Sequence, residues 1–351
     1  MKKQIAILLA IVLSTGILAG CSGSSTSSSS TAESNAGSQE SKPAETIKLV
    51  VAHNQTNMDS PFQTGLLKFK ESLESKDLGF EVEVHAGTLG TDERELTEKM
   101  TTGAADIVVV SPGFLTQTGI KEIDMLAFPY LFRDFEHWDK VTTSDIATEI
   151  SDLIYEKSGN TYKILSMWSA GVRHYYGKVP VNSPADMNGL KYRTQTAGII
   201  AEYWKEIGAI PTNVAWGELY QALQQKTVDA SENAYPFLVP QSHHKTENGK
   251  YISETGHDIT TRFLIMNANK LKSFTEEQQA AILEAAADSR QAEVDAINEQ
   301  EEQYKQQAIE DGAIINEVDK APFMEVAEEI NRKYAEKIGV TELYEKILNL
   351  K

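Results

Sequence analysis

The chain has 351 residues, a single cysteine and a formal net charge of −18. That acid excess excludes a nucleic-acid partner, because the phosphate-neutralising contribution to binding would be repulsive. One thiol excludes an internal disulfide, so stability has to come from packing.

The N-terminus has the layout of a secretory signal. Met1-Lys2-Lys3 is a short basic segment, Ile5 to Leu18 is almost unbroken apolar sequence, and Leu18-Ala19-Gly20 leads into Cys21. This order is too short and wrongly flanked for a folded transmembrane helix. A cysteine at that point is the lipoprotein arrangement. The expectation is a signal peptide over 1–20, cleavage before Cys21 and lipidation of its thiol. An ordinary signal with an incidental cysteine is the other reading. Two or more acyl chains would give a durable membrane anchor. The protein is expected to be exported, on the outer face of a single-membrane cell or in a periplasm. From Ser22 to Glu45 the chain is mostly Ser, Thr, Gly, Ala, Asn and Gln with a few charges and one Pro, without a large apolar side chain. Such a segment cannot bury enough surface to offset its ordering entropy, and reads as a disordered tether.

The remaining stretch of roughly 305 residues suits two domains rather than one. No later apolar run approaches the ~20 residues that span a bilayer. Thr46 to His53 reads as a strand and Pro61 to Leu73 as a helix, with apolar residues at Phe62, Leu66, Leu67, Phe69 and Leu73. Phe80 to His85 alternates with period two, and Asp92 to Thr102 is helical in pattern. Ala105 to Val110 is apolar on both faces, as in a buried parallel sheet. Tyr162 to Trp168, Leu190 to Arg193, Ile210 to Val214 and Arg262 to Met266 are further strands, with helices at Ile199 to Ile207 and Trp216 to Gln225. Strand and helix alternating at this rhythm indicate an α/β fold. Near the end, Thr275 and Gln278 form a capping box, and helix formers then run to Asp311 with Gly312 as a stop. A helix of about 35 residues is roughly 50 Å long. It outruns one small domain and reads as a strut across both.

Enzyme signatures are absent: no G-x-S-x-G elbow, phosphate-cradling glycine loop or H-E-x-x-H occurs. His243-His244 is a poor chelate because adjacent side chains diverge, and the pair reads as a solvated loop. No metal or cofactor is expected. Arg193 stands at the C-terminal end of a short strand, where α/β sheets bind ligands. A guanidinium there can hold a carboxylate through two parallel bonds. Arg173, just past a strand, could be a second donor. A surface ion pair is the competing reading for both. Trp216 is either core or a wall for a ligand's carbon skeleton, and Asn233 either an amide donor to a ligand or a turn former.

Several segments, in order, carry a family likeness: Gly87-Thr-Leu-Gly-Thr-Asp-Glu-Arg94, Phe128-Pro-Tyr-Leu-Phe-Arg-Asp-Phe-Glu-His137, Gly189-Leu-Lys-Tyr-Arg193, Gly208-Ala-Ile-Pro211, Gly217 to Gln224 and Val228-Asp-Ala-Ser-Glu-Asn233. Over almost its whole mature length the chain resembles the substrate-binding proteins of TRAP transporters, the tripartite ATP-independent carriers of organic acids. The resemblance implies a two-lobed periplasmic-binding-protein-like fold, with lobe one over 46–170 and 259–298 and lobe two over 171–258 and 299–351. It implies that Arg193 grips a substrate carboxylate, that Arg173 and Asn233 assist, and that Trp216 packs on the ligand. Asp92, Thr196, Ser111 and His53 fall where relatives line the cleft. Ser231 replaces the usual glutamine before Glu-Asn, which leaves the ligand's identity open. The implied partners are a small organic acid anion and a TRAP membrane permease, with the receptor itself a monomer. A C4-dicarboxylate and a sugar acid such as a uronate both fit. The hydroxyl-binding groups of Thr196, Asn233, Tyr235 and Ser111 favour a hydroxylated acid. A receptor for an ABC importer, or a ligand-sensing lipoprotein, would share the two-lobed form.

Overall fold

The computed structural model describes residues 46–351. The expected signal peptide, Cys21 and the tether over residues 21–45 lie outside the described residues. Those described form one sheet from strands β1 (Ile47–His53), β2 (Phe80–Ala86), β3 (Ile107–Val110), β4 (Tyr162–Gly177), β5 (Lys191–Thr194), β6 (Ile210–Asn213), β7 (Ala230–Asn233), β8 (Tyr251–Asn267) and β9 (Ile314–Glu317). The spatial order is β2-β1-β3-β8-β4-β7-β5-β6, with β9 alongside β8.

Two long antiparallel strands make this one sheet serve two lobes. The first half of β4 pairs with the second half of β8, Tyr162 opposite Asn267 and Trp168 opposite Arg262. That end carries β3, β1 and β2. The other half, Arg173 to Gly177, pairs with β8 between Asp258 and Tyr251 and with β7. Register breaks fall between Ser169 and Val172 and between Arg173 and Tyr175. Bulges of this kind bend a strand and sharpen its twist. Gly171 sits in the break at φ 72°, and a Cβ there would come within 2.8 Å of the Ala234 methyl. The sequence Ser-Ala-Gly reads as a strand end at Trp168. It is instead an irregularity that β4 passes through, so Arg173 lies within the strand rather than beyond it.

One face of the sheet carries the helix Pro61–Glu74 and the long helix Glu276–Glu310. The long helix has the expected start: Gln278 N–H donates to Thr275 Oγ1 at 3.2 Å, and Thr275 N–H to Gln278 Oε1 at 3.1 Å. Ile282, Ala285 and Ala286 share a core cluster with Leu66, Phe69 and Leu73 of the shorter helix. Small residues let the two approach closely. At Gly65 a Cβ would lie 3.0 Å from Glu293 Cβ of the long helix and 2.7 Å from the Trp168 ring of β4.

The opposite face is covered at the β1–β3 end by helices Phe135–Thr143 and Asp145–Lys157, and at the β5–β7 end by Ile199–Glu206 and the start of Ala321–Ile338. The last helix, Thr341–Asn349, places Leu343, Tyr344 and Ile347 in the cluster of Ile146, Ile150 and Ile154. The chain end therefore packs on the first lobe, whereas the sequence reading puts all of 299–351 in the second. The 18-residue helix before it, about 27 Å long, carries the chain back. No helix among the described residues is long and apolar enough to cross a membrane.

Candidate functional site

Arg193 is the third residue of β5, held in register opposite Thr212 of β6. Its side chain is fully buried. Nε donates to the Val214 carbonyl at 2.9 Å, while Nη1 and Nη2 have no hydrogen-bond partner among the described residues. The guanidinium carbon lies 5.9 Å from the centroid of the Trp216 ring, an attractive cation–π placement. Burial pushes its pKa down to about 10, so it stays charged at neutral pH. A buried charge without a counter-ion costs several kcal/mol. An arriving carboxylate would relieve that cost with two parallel charge-assisted bonds.

Arg173 is differently situated. Its Nη1 donates to Asn233 Oδ1 at 3.2 Å and its Nη2 to the Glu232 carbonyl and Oε1 at 2.9 and 3.3 Å. Burial alone would raise the Glu232 carboxyl, but the adjacent Arg173 charge and the His257 hydrogen bond outweigh it and hold it at about 2. His257 Nε2 contacts Glu232 Oε2, and its Nδ1 meets Thr255 Oγ1 at 2.8 Å. Arg173 is thus already neutralised within the protein, and Arg193 is not. Asn233 Oδ1 also accepts from the Ala234 N–H at 3.0 Å, which leaves its Nδ2 as the group it can offer.

A cavity of about 60 Å³ lies between the lobes, lined by Ser111, Arg173, Thr196, Asp258, Thr260 and Arg262 among others. Arg193, Trp216 and Asn233 are not in its wall, but Arg173 joins the two sets of residues. Larger hollows exist, such as one of about 340 Å³ between Glu202 and Lys337, but Arg173, Arg193 and Arg262 line none of them. Small-molecule sites usually measure ~300–1,000 Å³. The cleft is drawn together here, and contacts across it show how. A Cβ on Gly113 would come within 2.8 Å of Thr196 Oγ1, and one on Gly217 within 2.8 Å of Thr91 Oγ1. Asp124 Oδ2 accepts from the Ile199 N–H at 2.8 Å, at the N-terminus of the facing helix.

The remaining expected residues divide. Thr196 and Ser111 line the cavity, although Ser111 N–H and Oγ both donate to Glu93 Oε2 at 2.6 and 2.7 Å. Asp92 caps the helix Glu93–Thr102, its Oδ1 accepting from the Arg94 N–H at 2.8 Å, and does not line the cavity. His53 also stays out of the wall. It is fully buried, with Nε2 bonded to Gln63 at 2.9 Å and Nδ1 accepting from the Gln55 N–H at 3.1 Å. The Tyr235 hydroxyl is taken by Glu254 at 3.1 Å. His243 and His244 are buried, not solvated. His243 stacks on Tyr176, bonds its hydroxyl at 2.9 Å and sets its ring edge-on to Trp216 at 5.1 Å. The rings do diverge, as adjacent side chains must: His244 turns away to Asp311 at 3.0 Å. Sequence reasoning misses Glu93, Glu232, Asp258, Arg262 and His243. Only the Glu-Asn pair gave a signal, and it pointed to the asparagine.

The family model for bacterial extracellular solute-binding proteins, family 7, matches residues 51–337. The chain belongs to this family. Two solved members align with it closely. The TRAP periplasmic solute-binding protein of a Sulfitobacter species, with bound beta-D-galacturonate, superposes with a TM-score of 0.81 at 25% identity, covering 87% of this chain and 100% of that one. The counterpart from Roseobacter denitrificans, with bound beta-D-glucuronate, gives 0.81 at 26% identity and the same coverage. The C4-dicarboxylate-binding periplasmic protein of Rhodobacter capsulatus is 25% identical over 287 residues, 80% of this chain and 84% of that protein. Like them, this family 7 member is a two-lobed α/β solute receptor of the TRAP type, with its cleft between the lobes.

Proposed function

We propose that this receptor captures a small organic acid anion by closure of the lobes and delivers it to a TRAP membrane permease, with no reaction on the ligand. The observation that carries this reading is the Arg193 guanidinium, fully buried with two nitrogens lacking a partner among the described residues. Arg193 takes the ligand carboxylate. Arg173 and Asn233 supply further donors, Trp216 faces the carbon skeleton, and Thr196 and Ser111 meet hydroxyls. The ligand is a sugar acid such as a uronate or a C4-dicarboxylate, the classes bound by the relatives above. The hinge lies at the register breaks of β4, with 46–170 and 259–298 in one lobe and 171–258 with 299–338 in the other. The helix Thr341–Asn349 rides on the first lobe. A lipid on Cys21 holds the receptor at the membrane, where it acts as a monomer.

Thermal melts against a panel of organic acids test this. A ligand at 100 times its dissociation constant adds ~2.7 kcal/mol of stability, a shift of several degrees. Uronates or C4-dicarboxylates should produce it. Shifts confined to neutral sugars, peptides or metal ions would overturn the carboxylate assignment.

A further inference from the structure

A third guanidinium, Arg262, stands in the first-lobe wall of the cavity and is 7% exposed. Its Nε has no hydrogen-bond partner among the described residues and lies 3.9 Å from Glu93 Oε1. Glu93 is itself 1% exposed and fixed in place. Oε2 accepts both Ser111 donors, and Oε1 accepts from Asn54 Nδ2 at 3.3 Å. Asp258 shares the wall, its Oδ2 accepting from Thr260 Oγ1 at 2.6 Å.

The charges around the cleft then sort into pairs. Glu232 answers Arg173, and Glu93 answers Arg262. Of these three arginines, only Arg193 forms no ion pair with an acid among the described residues. We infer that Glu93 and Arg262 are specificity residues that restrict the ligand to a single carboxylate, so that the receptor selects hydroxylated monocarboxylates over dicarboxylates. This inference rests on the carboxylate role of Arg193 proposed above. A second carboxylate brought to Arg262 would meet the fixed negative charge of Glu93 and the Asp258 side chain, in a cleft where like charges are poorly screened. A hydroxyl meets no such conflict. It accepts from the Arg262 guanidinium and donates to a neighbouring carboxylate at once. The first-lobe wall sets such donors and acceptors side by side.

Titration calorimetry of the protein with D-glucuronate and with succinate tests the inference. The wild type should bind glucuronate at least tenfold more tightly than succinate. Glu93→Gln keeps the shape and an oxygen acceptor for Ser111, and should narrow that ratio at least tenfold by strengthening succinate. Should that variant fail to fold, Asp258→Asn, in the cavity wall, should narrow the ratio in the same direction. A wild type that prefers succinate, or a ratio unmoved in both folded variants, would overturn the inference while leaving the carboxylate reading intact. Binding of neither acid, or of both undiminished by Arg193→Met, would instead remove the underlying reading and this inference with it.

Discussion

Two arginines twenty residues apart illustrate how burial alone does not define a role. Arg193 carries an unanswered charge and Arg173 an answered one, and their variants should behave in opposite ways. Arg193→Met removes a buried charge without a partner, so the unliganded melt should stay level or rise. Glu232→Ala strands the Arg173 charge, and should cost about 3–5 kcal/mol in urea unfolding. A large loss of stability in the first variant, or none in the second, would contradict this division. From sequence, the family likeness singles out Arg193, Arg173 and Asn233; Arg173 lines the cavity, whereas Arg193 and Asn233 lie outside its wall. The likeness does not reveal the acids that decide which arginine is free. Glu232 meets Arg173 through the pairing of β7 with β4, and Glu93, at the start of the helix Glu93–Thr102, meets Arg262 of β8 by tertiary packing; no local pattern encodes either. His53 and Asp92 show the converse: both flank the cleft in sequence position, yet one is satisfied by Gln63 and the other spent on a helix cap.

At the scale of elements, the two lobes are legible because the long helix begins at a capping box and ends at Gly312, both local signals. The crossing strands are less so. A register break resembles a strand terminus until its partner is known, which hides the second half of β4 and the first half of β8. The contacts across the cleft suggest how closure is adjusted. Gly113 lies in ordinary helical backbone, so Gly113→Ala adds only a methyl against Thr196 Oγ1. Ligand affinity should weaken several-fold with the unliganded melt unchanged. Full affinity in that variant would show that the lobes need not come this close. Asp124→Ala removes the carboxylate that caps the facing helix at Ile199, and a cap of this kind contributes about 0.5–2 kcal/mol. Its effect should appear as faster ligand release in stopped-flow displacement, and an unchanged rate would count against a closing role.

For the whole molecule, the net charge of −18 makes the cleft's positive groups local exceptions to an acidic field. Buried titratable groups shape its pH profile. Burial pushes His53 down to about 4 and His174 and His243 to about 3. Below the unfolded value near 6.5 the unfolded chain takes up protons that these folded imidazoles refuse. Stability should therefore fall as pH drops from 6.5 towards 4. Glu301 works the other way. Burial, then the negative charge of Glu254, raises its carboxyl to about 8, so its contribution is full below 4.5 and is lost as pH climbs through 8. Glu301→Gln should flatten the alkaline decline, as followed by thermal melts from pH 5 to 9; an unaltered slope would contradict the assignment. The central claim is that one buried guanidinium completes itself with a ligand carboxylate. It is tested most directly by titration calorimetry of wild type and Arg193→Met with galacturonate. The account predicts tight binding in the first and none measurable in the second, with both proteins folded. Equal affinities would contradict it.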